Sequence, residues 1–257
     1  MALKRNHIYL AAAIIIMVTV SSIAMFYSAP KPLHGVRVSI FYDNGVQIQS
    51  KIAAEHMFEW MGAVVTTINK TDIDNGILDS TDLLLMPGGL WVDERCTIDG
   101  ETEMNLIRQY VLNGGAYFGI EGGATYATSF RVGLFDGLLY PDVFGAQNYL
   151  VDIDINLGSS GLNLTNVKSS YNLLYENSGY FDIDDIDGII PFANYHNTSY
   201  YCMVAFETGN GRVFLSSPHP EYEEGQSRDG TDYFDRLHDS DSEWPLMLKI
   251  AEWLLSM

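Results

Sequence analysis

Gly114-Gly-Ala-Tyr-Phe-Gly-Ile-Glu-Gly-Gly123 is the stretch on which the fold turns. The glycine pair stops the segment before it, Ala116 to Ile120 is a short apolar run, and Glu121-Gly-Gly123 bends the chain into an Ala- and Tyr-containing segment. A strand that runs into a turn of small residues and then a helix presents one side chain at the carboxyl edge of a parallel sheet. Glu121 is that side chain.

Outward from this elbow, strand-like and helix-like segments alternate, the pattern of an α/β layer architecture. Val36 to Tyr42 is a β-rich run ending at Asp43-Asn-Gly45, a turn signal. Ile48, Ile52, Ala53, Met57, Trp60 and Met61 recur at helical spacing, Gly62 closes that helix, and Ala63 to Ile68 resumes an extended run. Leu83 to Met86 is apolar throughout, as befits a strand covered on both faces. Met104, Ile107, Val111 and Leu112 define the helix that Gly114 and Gly115 stop. From Gly133 to Leu174 the pattern is irregular, with alternation at Val151 to Ile155, and reads as an inserted or peripheral β element. Tyr201 to Thr208 and Arg212 to Ser216, joined through Gly209-Asn-Gly211, form a hairpin pattern. The last helix runs from Pro245 to Leu255 and offers Leu246, Ile250, Trp253 and Leu254 to the core. Residues 30–257 read as one domain.

The chain has 257 residues, 47% hydrophobic and 18% charged, which excludes long polar linkers. Its 33 acidic and 14 basic residues give a net charge of -19, which repels phosphate backbones and excludes a nucleic-acid partner. Cys96 and Cys202 are too few for a disulfide-built scaffold, and leave open two free thiols or one bridge. Residues 8–27 carry no charge and follow Lys4 and Arg5. About 20 apolar residues span a bilayer core, whereas the apolar region of a signal peptide is roughly 7–15 long, so an uncleaved anchor is favoured over a cleaved leader with Ser22-Ile-Ala24 as its site. The basic pair keeps the amino terminus inside. The expectation is a cell-membrane protein with residues 1–29 as stub and anchor and the remainder extracytoplasmic, or a secreted one if cleavage occurs. Sequons at Asn69, Asn163 and Asn197 are compatible with either.

Four local motifs carry candidate chemistry. Pro87-Gly-Gly89 exposes backbone N–H groups after a strand, as an oxyanion site requires. Gly119 to Gly123 is the sharp elbow. In Ser217-Pro-His-Pro-Glu221, His219 and Glu221 have the makings of a base and its orienter. Tyr175 to Phe181 supplies aromatic and small residues of the kind that wall a pocket. Each alone is a common loop, and their order together carries the weight. Asp182-Ile-Asp-Asp-Ile-Asp-Gly188 departs from the calcium-loop pattern, since Ile186 falls where an acid is needed, so a solvated acidic loop is expected and no metal set is assigned. No cofactor is implied. Nine acids lie between Glu221 and Glu243, read as a solvated, salt-adapted face whose sharper consequence is a pocket rim unfavourable to anionic ligands.

That order of motifs resembles the class I glutamine-amidotransferase-like superfamily, most closely the N-terminal domain of biotin-protein ligases and its stand-alone relatives. The resemblance runs from Val36 to Leu255 and includes Tyr42-Asp-Asn-Gly45, Pro87-Gly-Gly89, Gly114 to Ile120, Tyr175 to Phe181, Ala193-Asn-Tyr195 and Ser216 to Glu221. It implies a flavodoxin-like parallel sheet flanked by helices and a triad of elbow Cys, His and Glu. His219 and Glu221 match the last two. Where relatives read Gly-Ile-Cys-Ala-Gly, this chain reads Gly119-Ile-Glu-Gly-Gly123, and a carboxylate is a poor nucleophile toward an amide, so thioester chemistry on glutamine is not expected. With the fold kept, Glu121 is expected to meet His219 beneath the N–H groups of Gly89 and Gly122, with its own pKa lowered and that of His219 raised. Gly88, Gly89, Gly122, Tyr42, Tyr175 and Tyr195 are the expected binding residues. The resulting expectation is a non-catalytic domain that binds an unknown small molecule or protein. The alternative is a hydrolase or amidase with Glu121 as general base and His219 and Glu221 beside it.

Overall fold

Helices cover both faces of one sheet because its central strands bury both sets of alternating side chains. The computed structural model describes residues 30–89, 100–141, 143–158, 162–184, 186–239 and 241–256. Its strands are β1 (Arg37–Phe41), β2 (Val64–Ile68), β3 (Leu83–Met86), β4 (Ala116–Ile120), β5 (Leu138–Tyr140), β6 (Asn148–Ile155), β7 (Ser170–Glu176), β8 (Tyr180–Asp182), β9 (Ile189–Tyr195), β10 (Tyr201–Thr208) and β11 (Gly211–Ser216). The helices are α1 (Ile48–Met61), α2 (Lys70–Asp74), α3 (Glu101–Leu112), α4 (Gly122–Tyr126) and α5 (Trp244–Leu255).

The strands lie in the order β2-β1-β3-β4-β11-β10-β9-β6-β7, with β5 and β8 paired to the side of β10. From β2 to β11 every neighbouring pair is parallel, which is the flavodoxin-like order. From β11 to β7 every pair is antiparallel. The sheet is therefore mixed, and β6 and β7, expected as an insertion or periphery, extend the same sheet. A pleated strand adds to any edge with matching register, and β9 offers that edge to β6 through Tyr195, Asn194 and Ala193.

Alternation sorts the core. Leu83 and Leu85 of β3, with Ala116, Phe118 and Ile120 of β4, pack toward α1 and α5, where Met57, Phe58, Ile250 and Leu254 meet them. Leu84, Met86 and Tyr117 face the other way, against Ile107, Val111, Ala124 and Tyr126. Each such large side chain, fully buried, contributes roughly 1.5–3 kcal/mol.

Gly62 ends α1 as expected, with φ 97° and its N–H donating to Phe58 and Glu59 carbonyls. The buried face of α1 differs from the expected one. Ser50, Ala53, Ala54, Met57, Phe58 and Met61 are buried, whereas Ile48 and Trp60 are exposed. Phe58 has an edge-on partner in Phe118, while Trp60 lies against Trp244 at the surface, so the helix is turned toward the aromatic of the sheet. No helix among the described residues is long and apolar enough to cross a membrane. The expected anchor at residues 8–27 lies outside the described residues.

Candidate functional site

The carboxyl ends of the parallel strands place the expected residues along one edge: Tyr42 after β1, Gly88 and Gly89 after β3, Glu121 and Gly122 after β4, His219 and Glu221 after β11. Glu121 is held at φ 46° and ψ -107°, a conformation that costs a non-glycine residue about 1–3 kcal/mol. Two contacts impose it. Its N–H donates to the Ser216 carbonyl at 2.8 Å, and the following turn is pressed so closely to β3 that a Cβ on Gly123 would lie 1.9 Å from the Met86 carbonyl oxygen. Opposite, Gly89 has φ 153°, and a Cβ there would lie 2.2 Å from the Gly45 carbonyl oxygen. Only glycine brings this N–H to the elbow.

What the N–H groups hold is Glu121 itself. Gly89 donates to Glu121 Oε2 at 2.8 Å, and the Gly122 N–H acts on the same carboxyl by lowering its pKa. The Gly89 donor expected to serve an oxyanion thus serves this chain's own side chain. Burial raises the pKa of Glu121, with Glu176 adding to it, against the lowering effects of His219 and the two N–H groups. The sequence expectation was a lowered pKa, and desolvation reverses it.

His219 is fully buried between Glu221 and Glu176. Its Nδ1 lies 2.9 Å from Glu221 Oε1, which also accepts the Ser50 hydroxyl at 2.6 Å, and Ser50 Oγ in turn accepts the Gly88 N–H at 2.9 Å. Its Nε2 lies 3.7 Å from Glu176 Oε2, beyond hydrogen-bond reach, and has no hydrogen-bond partner among the described residues. Burial alone pushes the imidazole down, but Glu221, then Glu176 and Glu121, outweigh it and set its pKa at about 9. His219 is consequently an imidazolium at neutral pH, as expected. Glu121 acts on it through space, and the described contacts include no direct pair between them. The close approach of Gly88 is steric: a Cβ there would lie 2.7 Å from His219 Cε1.

The tyrosines divide. Tyr42 is exposed, with Lys51 Nζ 5.8 Å from its ring centre, and lines a shallow cavity with Asp43, Asn44, Asn69 and Thr71. Tyr175 and Tyr195 were expected to line the site but are buried. Tyr175 donates to the Gly145 carbonyl at 3.1 Å and Tyr195 to the Gly179 carbonyl at 2.9 Å, and their rings pack with Phe144. An aromatic hydroxyl buried among rings needs a partner, and the backbone of the adjoining loops supplies it. They position the turn that follows β7.

Sequence reasoning missed Glu176 and Ser50. Glu176 stands one residue past Tyr175 in a motif read for its aromatics, and its Oε1 accepts the Tyr233 hydroxyl at 2.7 Å. Ser50 sits at the 50, 53, 57 spacing of the buried face of α1, a polar residue on an apolar stripe. Cys96 and the rest of residues 90–99 lie outside the described residues, so the question of a bridge does too. Cys202 is buried in β10, and burial holds its thiol pKa well above the ordinary value. In the acidic loop, Asp182 accepts the Asp184 N–H at 3.2 Å, and Asp185 lies outside the described residues. The stretch from Glu221 to Glu243 is not the solvated face expected. Glu221, Glu223, Glu224, Asp229, Asp239 and Glu243 are all buried, because the loop folds back over the carboxyl edge and the start of α5.

Comparisons place the fold. No family model and no curated protein matches the chain. Among solved structures, PurLQS from Thermotoga maritima aligns over 86% of this chain and 98% of its own, with TM-score 0.59 and 18% identity. A glutamine amidotransferase from Thermotoga maritima aligns over 87% and 90%, with TM-score 0.58 and 13% identity. A ThuA-like protein from Bacteroides uniformis aligns over 90% and 96%, with TM-score 0.57 and 12% identity. The chain has the class I glutamine-amidotransferase-like fold. At these identities the likeness extends to the fold alone.

Proposed function

We propose that this chain is a non-catalytic binding domain in which Glu121 stands where glutamine amidotransferases carry a nucleophilic cysteine. The observation that carries the reading is the carboxyl group of Glu121 accepting the Gly89 N–H at 2.8 Å. Acyl transfer needs that donor free for the developing oxyanion, and a nucleophile that can leave again. Here a carboxyl group of the protein already occupies the Gly89 N–H. His219, charged and tied to Glu221, has no lone pair on Nε2 to accept a proton at neutral pH.

The motif order supports a finer kinship with the N-terminal domain of biotin-protein ligases, and the apolar stretch at residues 8–27 supports a single-pass anchor with the domain extracytoplasmic. The ligand chemistry follows from the charges. One imidazolium stands among Glu121, Glu176 and Glu221, so the edge favours neutral or cationic polar molecules that accept a hydrogen bond from His219 Nε2 and donate to Glu121 or Glu176. Titration of the protein with small primary amides, amines and carboxylates, followed by backbone amide NMR, tests this. Shifts at Gly89, Gly122 and His219 with an amide or amine are expected. Shifts with the carboxylates alone, or none at this edge, would refute it.

A hydrolase is the second reading, and the raised pKa of Glu121 favours it, since a stronger base takes a proton from water more readily. Against it, the base occupies the Gly89 N–H that its own oxyanion requires.

A further inference from the structure

Beyond the elbow, the loop that returns from His219 to α5 carries three carboxylates with no hydrogen-bond partner among the described residues. Glu224 is 1% exposed, Asp239 7% and Glu243 0%. One oxygen from each lies within 4.8 Å of the others. All six of their carboxylate oxygens are buried without a hydrogen-bond partner among the described residues. Buried polar atoms are nearly always paired, and a buried unpaired carboxylate is the most costly exception. The nearby cations are engaged elsewhere, Arg228 with Glu223 and Lys168 with Asp241 at 3.2 Å. Glu243 stands at the N-cap of α5 yet its side chain makes no cap hydrogen bond. A carboxylate at that position ordinarily turns back onto the first N–H groups of the helix. This one is turned toward Glu224 and Asp239 instead.

We infer that Glu224, Asp239 and Glu243 form a site for a divalent cation of the calcium class. Carboxylate oxygens alone, with no nitrogen or sulfur donor, select a hard cation. Calcium accepts an irregular set of oxygens at about 2.3–2.6 Å, while magnesium demands a near-ideal octahedron at about 2.0–2.1 Å and keeps several waters, so a buried set of carboxylates suits calcium. Six oxygens, taken as bidentate pairs, approach the coordination number calcium requires. The site also has a place in the architecture. Glu224 lies three residues past Glu221, and Trp244, next to Glu243, donates its indole N–H to the Glu221 carbonyl at 2.9 Å. A bound cation clasps residues 224 and 243 and so braces the segment that presents Glu221 to His219.

The test uses the full chain, stripped with a chelator, and follows terbium luminescence sensitised through Trp244 together with melting temperature in calcium or magnesium. The wild type is expected to bind one terbium that calcium displaces, and to melt higher in calcium than in equal magnesium. Asp239→Asn and Glu243→Gln are each expected to weaken calcium binding by about tenfold or more, while melting no lower than the stripped wild type because each removes an unpaired buried charge. No calcium response in the wild type, a response to magnesium alone, or an unchanged response in both variants would overturn the assignment. A variant that fails to fold leaves the wild-type luminescence and stoichiometry to decide.

Discussion

At the residue scale the account rests on one imidazole and the carboxylates around it. His219 has Glu221 on its Nδ1 side and Glu176 on its Nε2 side, with Glu121 acting on it through space and the Tyr222 ring 5.4 Å away. Its folded pKa, about 9, is above its ordinary value of 6.5. Folding therefore takes up a proton, and the stability this group contributes is complete below about pH 6.5 and lost as pH rises through about 9. Its size is on the order of 3–4 kcal/mol, from roughly 1.4 kcal/mol per pH unit. Unfolding by urea at a series of pH values checks this. Wild type should lose more stability than His219→Gln across that window, and parallel curves would show that His219 is not charged in the fold. His219 and Glu221 were legible because the motif holds them two residues apart on one turn. Glu176 was not, since its part comes from β7 reaching the same edge across 43 residues of chain, a closeness marked by the isolated bridge between Leu174 and His219.

At the element scale, close approach of β3, β4 and the elbow fixes Glu121. Gly123→Ala puts a methyl group 1.9 Å from the Met86 carbonyl oxygen, a backbone atom with no room to retreat from α4. Overpacking of this kind costs about 1–3 kcal/mol or more. The expected outcome is a lower melting temperature together with displacement of the Gly89 amide resonance, because the elbow must move away from the loop that donates to it. A variant as stable as wild type, with that resonance in place, would mean the turn is looser than described. The parallel strands, the hairpin of β10 and β11, and α5 were readable from periodicity and glycine stops, since each is decided by residues close in sequence. The rotation of α1 was not. Ile48, Trp60 and Phe58 are all apolar, and the choice among them is made by Phe118, which lies in another element.

At the scale of the whole molecule, a parallel half that gathers the elbow and its partners at its carboxyl edge is joined to an antiparallel half that extends the same sheet. The second half was only partly legible: β6 was visible as an alternating stretch, but its place in the same sheet is settled by pairing with β9, far along the chain. The same holds for charge. A net of -19 suggested a solvated acidic face, yet several of those acids are folded inward, where sequence composition carries no record of burial. The consequence proposed for function is a molecule that keeps the class I glutamine-amidotransferase-like fold while its own Glu121 carboxyl group takes the Gly89 donor. Hydrolysis of glutamine, simple amides and activated esters by the purified protein, measured beside Glu121→Gln between about pH 6 and 9, tests that claim most directly. The account predicts no turnover above the uncatalysed rate in either protein, and turnover in the wild type that disappears in Glu121→Gln would contradict it.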